Sequence, residues 1–154
     1  VLHHISIPAL DPLRVARVLA RLMKGKVYPF PPVEGAYITV NFDEYGTAIE
    51  VYPIDTAIRF APGHPDFRAS GVIPAASAFH AALSVPLHQD EIEWIAGQEG
   101  WRVQLCDRGP FRVIELWLEN HLLIELLSPE LTEDYIQFLQ PRKVEEFFRD
   151  LAPV

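Results

Sequence analysis

The stretch His4-Ile5-Ser6-Ile7-Pro8-Ala9-Leu10-Asp11-Pro12 reads as a strand that runs directly into a helix. Residues 2–9 carry the strand pattern, and Pro8 and Asp11 close it. Asp11 stands where a helix cap belongs, with Pro12 at the first helical position. Val15, Val18, Leu19 and Leu22 then share one helical face until Gly25 stops it. From Lys26 the texture becomes strand-like: residues 27–30, a break at Pro31 and Pro32, residues 36–42, a turn around Asp43, Glu44 and Gly46, and residues 47–52.

The same order returns further along. Residues 79–85 read as a strand, and Asp90 with Glu93 three places on has the form of a capping box. Ile92, Ile95 and Ala96 mark a short helical face that ends at Gly97 or Gly100. Three strands follow at 101–107, 111–118 and 122–127, separated by Arg108-Gly109-Pro110 and Glu119-Asn120-His121. The expected architecture is α+β, with one βαβββ unit over residues 1–53, a connector over 54–76 and a second βαβββ unit over 77–128. The connector contains Pro62, Gly63, Pro65, Gly71 and Pro74 and is long for a bare loop. Residues 129–154 form a helical tail, with Thr132 as its cap and Val144, Phe147, Phe148 and Leu151 on one face, packed on the core or on a partner subunit.

Two His–Glu couples sit on this duplicated frame. His4 and Glu50 are 46 positions apart, and His80 and Glu125 are 45 apart. Side chains alternate along a strand, so His4 points away from Ile5 and Ile7, and Glu50 from Ile49 and Val51. His80 has the same relation to Ala81 and Leu83, and Glu125 to Ile124 and Leu126. The apolar neighbours face helices, and the four polar residues face the other side of each sheet. Glutamate is disfavoured in strands, and burying its charge without a partner costs on the order of several kcal/mol. A divalent cation held by two imidazoles and two carboxylates compensates both charges and keeps positions open for water or substrate.

Composition narrows the function classes. Thirteen Lys and Arg against twenty-one Asp and Glu give a formal charge of −8, which disfavours nucleic acid and anionic lipid as partners. The single Cys106 forbids an intrachain disulfide and an all-sulfur metal site, in keeping with a reducing, cytoplasmic setting. The most apolar stretch, residues 72–87, is broken by Pro74, Ser77, His80, Ser84 and Pro86 and is too short and too polar to span a bilayer.

The motif at residues 4–11 resembles the opening of the vicinal oxygen chelate superfamily, the group of glyoxalases, bleomycin- and fosfomycin-resistance proteins and extradiol dioxygenases. Asp43-Glu44-Tyr45-Gly46-Thr47-Ala48-Ile49-Glu50-Val51 is similar to that family's Gly-containing turn and ligand strand. His80-Ala81-Ala82-Leu83-Ser84-Val85 is similar to the start of its second module, and Leu122-Leu123-Ile124-Glu125-Leu126 to the second ligand strand. The likeness spans about residues 2–128. It implies two curved mixed sheets around a metal-binding cleft, within one chain or across a homodimer. His4, Glu50, His80 and Glu125 become the ligands of a divalent ion (Ni, Zn, Mn, Co or Fe), and Glu125 or Glu50 the catalytic base. The activity implied is that of a glyoxalase-like lyase or isomerase acting on a small oxygen-rich substrate. The alternatives are a metal-free sequestering protein of the same fold, or a dioxygenase. Pro8 and Ile54 stand where glyoxalases of the bacterial type place a basic residue and an Asn used on glutathione, which argues against a glutathione hemithioacetal substrate. A fourth ligand argues against the two-His, one-carboxylate iron chemistry of the dioxygenases.

Other residues receive structural roles. His3 faces away from His4, unless the strand slips by one residue. His64, His88 and His121 fall in connectors or turns and read as solvated. Tyr37, Thr39 and Asn41 alternate with Ile38, Val40 and Phe42 and are expected to offer polar groups to the cleft wall. Glu115 is divided between the cleft and the surface, while Trp94, Trp101 and the Phe residues are assigned to the core.

Overall fold

The computed structural model describes residues 2–62, 65–74 and 78–149. Predicted features at His64 and Leu151 lie outside these residues. The chain divides into two units: one takes the chain up to Phe79 together with Leu118–Leu122, the other His80–Trp117 and the chain from Leu123 onward.

In the first unit, β1 (His4–Ala9) leads into α1 (Pro12–Met23), followed by β2 (Lys26–Pro29), β3 (Tyr37–Val40) and β4 (Ala48–Pro53). The sheet order is β1-β4-β3-β2, with β1 parallel to β4 and the other pairs antiparallel. Asp11 caps α1 as expected, its side chain accepting from the Arg14 N–H at 3.0 Å. Val15, Val18, Leu19 and Leu22 are fully buried on the face that the spacing selected, as are Ile7, Ile49 and Val51 of the sheet. Each such side chain contributes about 1.5–3 kcal/mol. The helix ends at Lys24, in the left-handed region at φ 54°, one residue before the predicted stop. Gly25 serves a different purpose, since a Cβ there would lie 2.4 Å from the Val40 carbonyl oxygen. Its absent side chain lets the chain pass against β3. After β4, the predicted connector contains a two-stranded antiparallel ladder, β5 (Thr56–Arg59) with β6 (Asp66–Ala69).

The second unit repeats this frame. β7 (Ala81–Ser84), α2 (Gln89–Glu99), β8 (Val103–Asp107), β9 (Arg112–Leu118) and β10 (Leu122–Leu127) form a sheet of order β7-β10-β9-β8. β7 runs parallel to β10, matching β1 on β4. The cap of α2 falls earlier than Asp90: His88 is the N-cap, and its N–H donates to Glu91 at 3.1 Å. The sequence reading missed this because Glu stands three places after both 88 and 90, and a histidine is a less familiar cap. Ile92, Ile95 and Ala96 are buried as predicted, and Gly100 ends the helix at φ 70°. Trp101 is buried, but Trp94 keeps 61% of its surface exposed, against the core assignment.

The tail forms α3 (Pro129–Phe138) and α4 (Pro141–Phe148). Ser128 caps α3, accepting from the Leu131 N–H, so the predicted cap at Thr132 is displaced by one turn. Thr132 instead donates to the hydroxyl of Ser84. An aromatic chain of Phe111, Tyr135, Phe138 and Phe147 ties both helices to the unit. Among the described residues no helix is long and apolar enough to cross a membrane.

Candidate functional site

Strand register gives the two His–Glu couples equivalent places. On the parallel pair β1–β4, Ser6 lies opposite Glu50, and His4 stands two residues before Ser6. On β7–β10, Ala82 lies opposite Glu125, and His80 stands two residues before Ala82. His80 itself falls one residue ahead of β7 and is exposed, a correction to the strand predicted over 79–85.

In the first unit the couple is assembled. Nε2 of His4 stands 3.9 Å from Oε1 of Glu50, whose side chain is 14% exposed. The other carboxylate oxygen, Oε2, accepts from Ser6 Oγ at 2.7 Å and from Tyr52 Oη at 3.0 Å. Tyr52 is buried, stacked on Phe67 of β6 and edge-on to Phe30. Burial, and then the adjacent Glu50 carboxylate, push the Tyr52 phenol well above its ordinary range, so it remains a donor. His3 turns the other way, and its Nδ1 bonds the Tyr45 carbonyl in the turn before β4. Asp43 organises that turn by accepting from the Tyr45 and Thr47 N–H groups and from Asn41 Nδ2.

The expected polar wall on β3 is not there. Tyr37 and Thr39 pair with Val51 and Ile49, whereas Ile38 lies opposite Glu50. Thr39 is completely buried and its hydroxyl donates to the Ala16 carbonyl of α1 at 2.9 Å. A polar residue that can bond a helix carbonyl mimics the wet face in an alternating pattern. Asn41 is spent on Asp43.

In the second unit Glu125 meets an arginine. Arg108 Nη2 donates to Glu125 Oε1 at 2.7 Å and to Glu115 Oε1 at 2.6 Å, and its Nε reaches Glu125 Oε1 at 3.3 Å. Glu115 is buried on this same face, and its Oε2 accepts from Gln104 at 2.8 Å and Trp117 Nε1 at 3.4 Å. The Gln104 hydrogen bond, with Arg108 assisting against the burial, holds the Glu115 carboxyl below its usual range. The two carboxylates push the Arg108 guanidinium up. Neither Ser6 nor Tyr52 has a counterpart here, because Ala82 and Leu127 fill the equivalent places.

Arg108, Ser6 and Tyr52 were missed from the sequence. A signal existed for each: Ser6 and Tyr52 lie two places from a candidate ligand on the same strand face, and Arg108 continues the parity of Gln104 opposite Glu115. Among the described residues, within neither unit do three His, Cys, Asp or Glu side chains gather as a metal-binding group. His88 is exposed, as expected of a solvated position, and its Nδ1 lies 2.9 Å from Glu130.

No protein-family model matches the chain, and no curated protein does. Solved structures do. The fosfomycin resistance protein FosX from Mesorhizobium loti is 14% identical with a TM-score of 0.53, covering 88% of this chain and 96% of its own. A point mutant of FosX from Listeria monocytogenes, complexed with Mn(II) and 1S,2S-dihydroxypropylphosphonic acid, is 16% identical with a TM-score of 0.56 and covers 89% of this chain and 97% of its own. A possible glyoxalase from Bacillus cereus is 10% identical with a TM-score of 0.51, covering 82% and 96%. The chain shares with these proteins an α+β fold of two four-stranded mixed sheets and C-terminal helices.

Proposed function

We propose that this chain is a divalent-metal-dependent enzyme, a lyase or isomerase of the glyoxalase kind acting on a small oxygen-rich molecule. His4, Glu50, His80 and Glu125 are its metal ligands. The observation that carries this is the posture of Glu50, with Oε2 taken by Ser6 and Tyr52 and Oε1 turned to His4 at 3.9 Å. Two donor atoms each about 2.1 Å from one tetrahedral ion stand about 3.4 Å apart, so the couple needs to close by only about 0.5 Å to share a cation. Donors to the far oxygen of a ligand carboxylate are the usual supports of such a site. The Mn(II) held by the Listeria protein supports a divalent ion in this fold.

When bound, the cation supplies Lewis-acid polarisation of a substrate oxygen. Glu50 is the proton acceptor. Ser6 and Tyr52 fix its Oε2, so Oε1 is the oxygen that would take a proton from the substrate, and it can do so only while it is not bound to the cation. Glu125 is less suited to that step because it lacks the hydroxyl donors that orient Glu50, with Ala82 and Leu127 in the places of Ser6 and Tyr52.

Arg108 also favours a second reading, a metal-free protein that sequesters a ligand, since the guanidinium already compensates Glu125. Metal analysis of protein purified without chelator separates the two. Binding near one equivalent of Ni, Zn, Mn, Co or Fe, lost in His4→Ala, supports the enzyme. Substoichiometric uptake of all five supports the sequestering protein. With metal bound, solvent deuterium is expected to enter an α-hydroxy carbonyl substrate, and no exchange across a panel of such compounds rules out the proton transfer.

A further inference from the structure

We propose that Arg108 is an internal counter-cation for Glu125, and that a metal ion reaches this carboxylate by exchange: Arg108 releases Glu125 and keeps Glu115. The inference rests on Glu125 being a ligand, as proposed above.

Three observations point the same way. First, the charges are unequal. One guanidinium serves two carboxylates, and the Glu115 and Glu125 side chains are only 11% and 12% exposed. Among the described residues the ion pairs of this cluster leave one negative charge in excess in a poorly solvated place, which attracts a further cation. Second, the carboxylates are held differently. Glu115 takes donors from Gln104, Trp117 and Arg108, whereas among the described residues the donors to Glu125 are Nη2 and Nε of Arg108. Withdrawal of Arg108 leaves Glu115 anchored and Glu125 open. Third, the arginine can move without disturbing the core. It sits just after β8 in the turn to β9, with its N–H on the Phe111 carbonyl, Gly109 N–H on Asp107, and a side chain 36% exposed.

The equivalent places in the first unit explain why such a device is confined to one half. Glu50 is held by two neutral hydroxyls on the oxygen away from His4, so nothing positively charged has to leave before a cation binds. At Glu125 those positions are Ala82 and Leu127, and a cationic side chain does the holding instead.

Isothermal titration of metal-free protein with Zn and Mn tests the exchange. Arg108→Met is expected to bind the ion about 10- to 100-fold more tightly than the parent, the equilibrium equivalent of one hydrogen bond to a charged group. Its metal-free form is expected to melt lower and to recover with metal. In the parent, labelled at arginine, the Arg108 Nε–H resonance is expected to shift as Zn is added. Equal affinities for parent and variant, or an unmoved Arg108 resonance during saturable binding, overturn the exchange and leave the metal site standing. Absence of binding in both proteins overturns the exchange and the metal site together. Should Arg108→Met fail to fold, Arg108→Lys keeps the charge without the fork; affinity unchanged or lower in that variant counts against the exchange, and a rise supports it.

Discussion

Tyr52→Phe isolates what the phenol does for Glu50. The ring packs between Phe30 and Phe67 and is 5% exposed, so phenylalanine fills the same space and only the hydroxyl is lost. A hydrogen bond to a charged group contributes about 1.5–3 kcal/mol. Glu50 keeps Ser6 and has some access to water, which lowers the expected loss to about 1–2 kcal/mol. For a chain of this length that corresponds to a fall in Tm of roughly 2–8 °C. The pH dependence has a defined sign. The phenol's folded-state pKa is raised, so its contribution is fully present below the unfolded value of about 10 and is lost progressively as pH rises from there through the folded value. The deficit of Tyr52→Phe should therefore stay constant from pH 6 to about 9 and shrink above about 10. Divalent metal affinity should fall about 10-fold or more, as it does when a ligand loses its supporting donor. Urea melts of the parent, Tyr52→Phe, Glu50→Gln and the double variant give the coupling. A Tyr52–Glu50 interaction energy under about 0.5 kcal/mol refutes the assignment, because residues in one network couple more strongly than that.

Three further outcomes follow from other parts of the first unit. Gly25→Ala should cost about 1–3 kcal/mol or more in a chemical melt, since its Cβ would strike the Val40 carbonyl, a backbone group that cannot rotate away; a neutral result would mean that β3 and the end of α1 separate readily. Asp43 titrates at about 2, held down first by its hydrogen bonds to Thr47, so the turn's stabilisation is present above about pH 4 and fades as pH falls toward 2. Carbon-detected NMR of its carboxyl should give that midpoint, and one near 4 would refute the turn geometry. Glu119 has φ 52° and accepts from the Leu10 and Asp11 N–H groups at 2.6 and 2.7 Å, so Glu119→Ala should speed exchange of both amides and lower stability by about 1–2 kcal/mol, whereas Glu119→Gly relieves the backbone and costs less. Equal losses in the two variants would assign the effect to the lost carboxylate alone and none of it to the backbone.

Much of the frame was legible because it rests on local patterns. The Asp11–Pro12 start of α1, its buried face and the alternation that sends His4 and Ile7 to opposite sides are properties of a few consecutive residues. The matching register of Ser6 with Glu50 and Ala82 with Glu125 is the structural form of a spacing visible in the chain. Errors arose where two local solutions compete. His88 and Asp90 both precede a Glu by three places, and Ser128 and Thr132 both precede helical runs, so only tertiary packing chose between them. Thr39 misled for the same reason: hydrogen bonding to Ala16 makes a hydroxyl acceptable in the core, and nothing local announces that partner.

The least legible element was the one that matters most chemically. Burying Glu50 and Glu125 demands compensation, and a single answer for both was the natural expectation from their repetition. The two halves solve it differently. Neutral donors hold Glu50 and leave its charge to be balanced from outside, while Arg108 balances Glu125 from within. Repetition of a residue type therefore does not imply repetition of its electrostatic surroundings. The difference originates at the flanking positions, where Ser6 and Tyr52 in one half face Ala82 and Leu127 in the other. Exchanging them makes the point testable: Ala82→Ser with Leu127→Tyr should give Glu125 neutral donors of the kind that Glu50 has. Replacing Arg108 in that background should then lower stability by less than it does in the parent chain. An equal loss would mean that Glu125 depends on the guanidinium's charge itself, whatever neutral donors surround it.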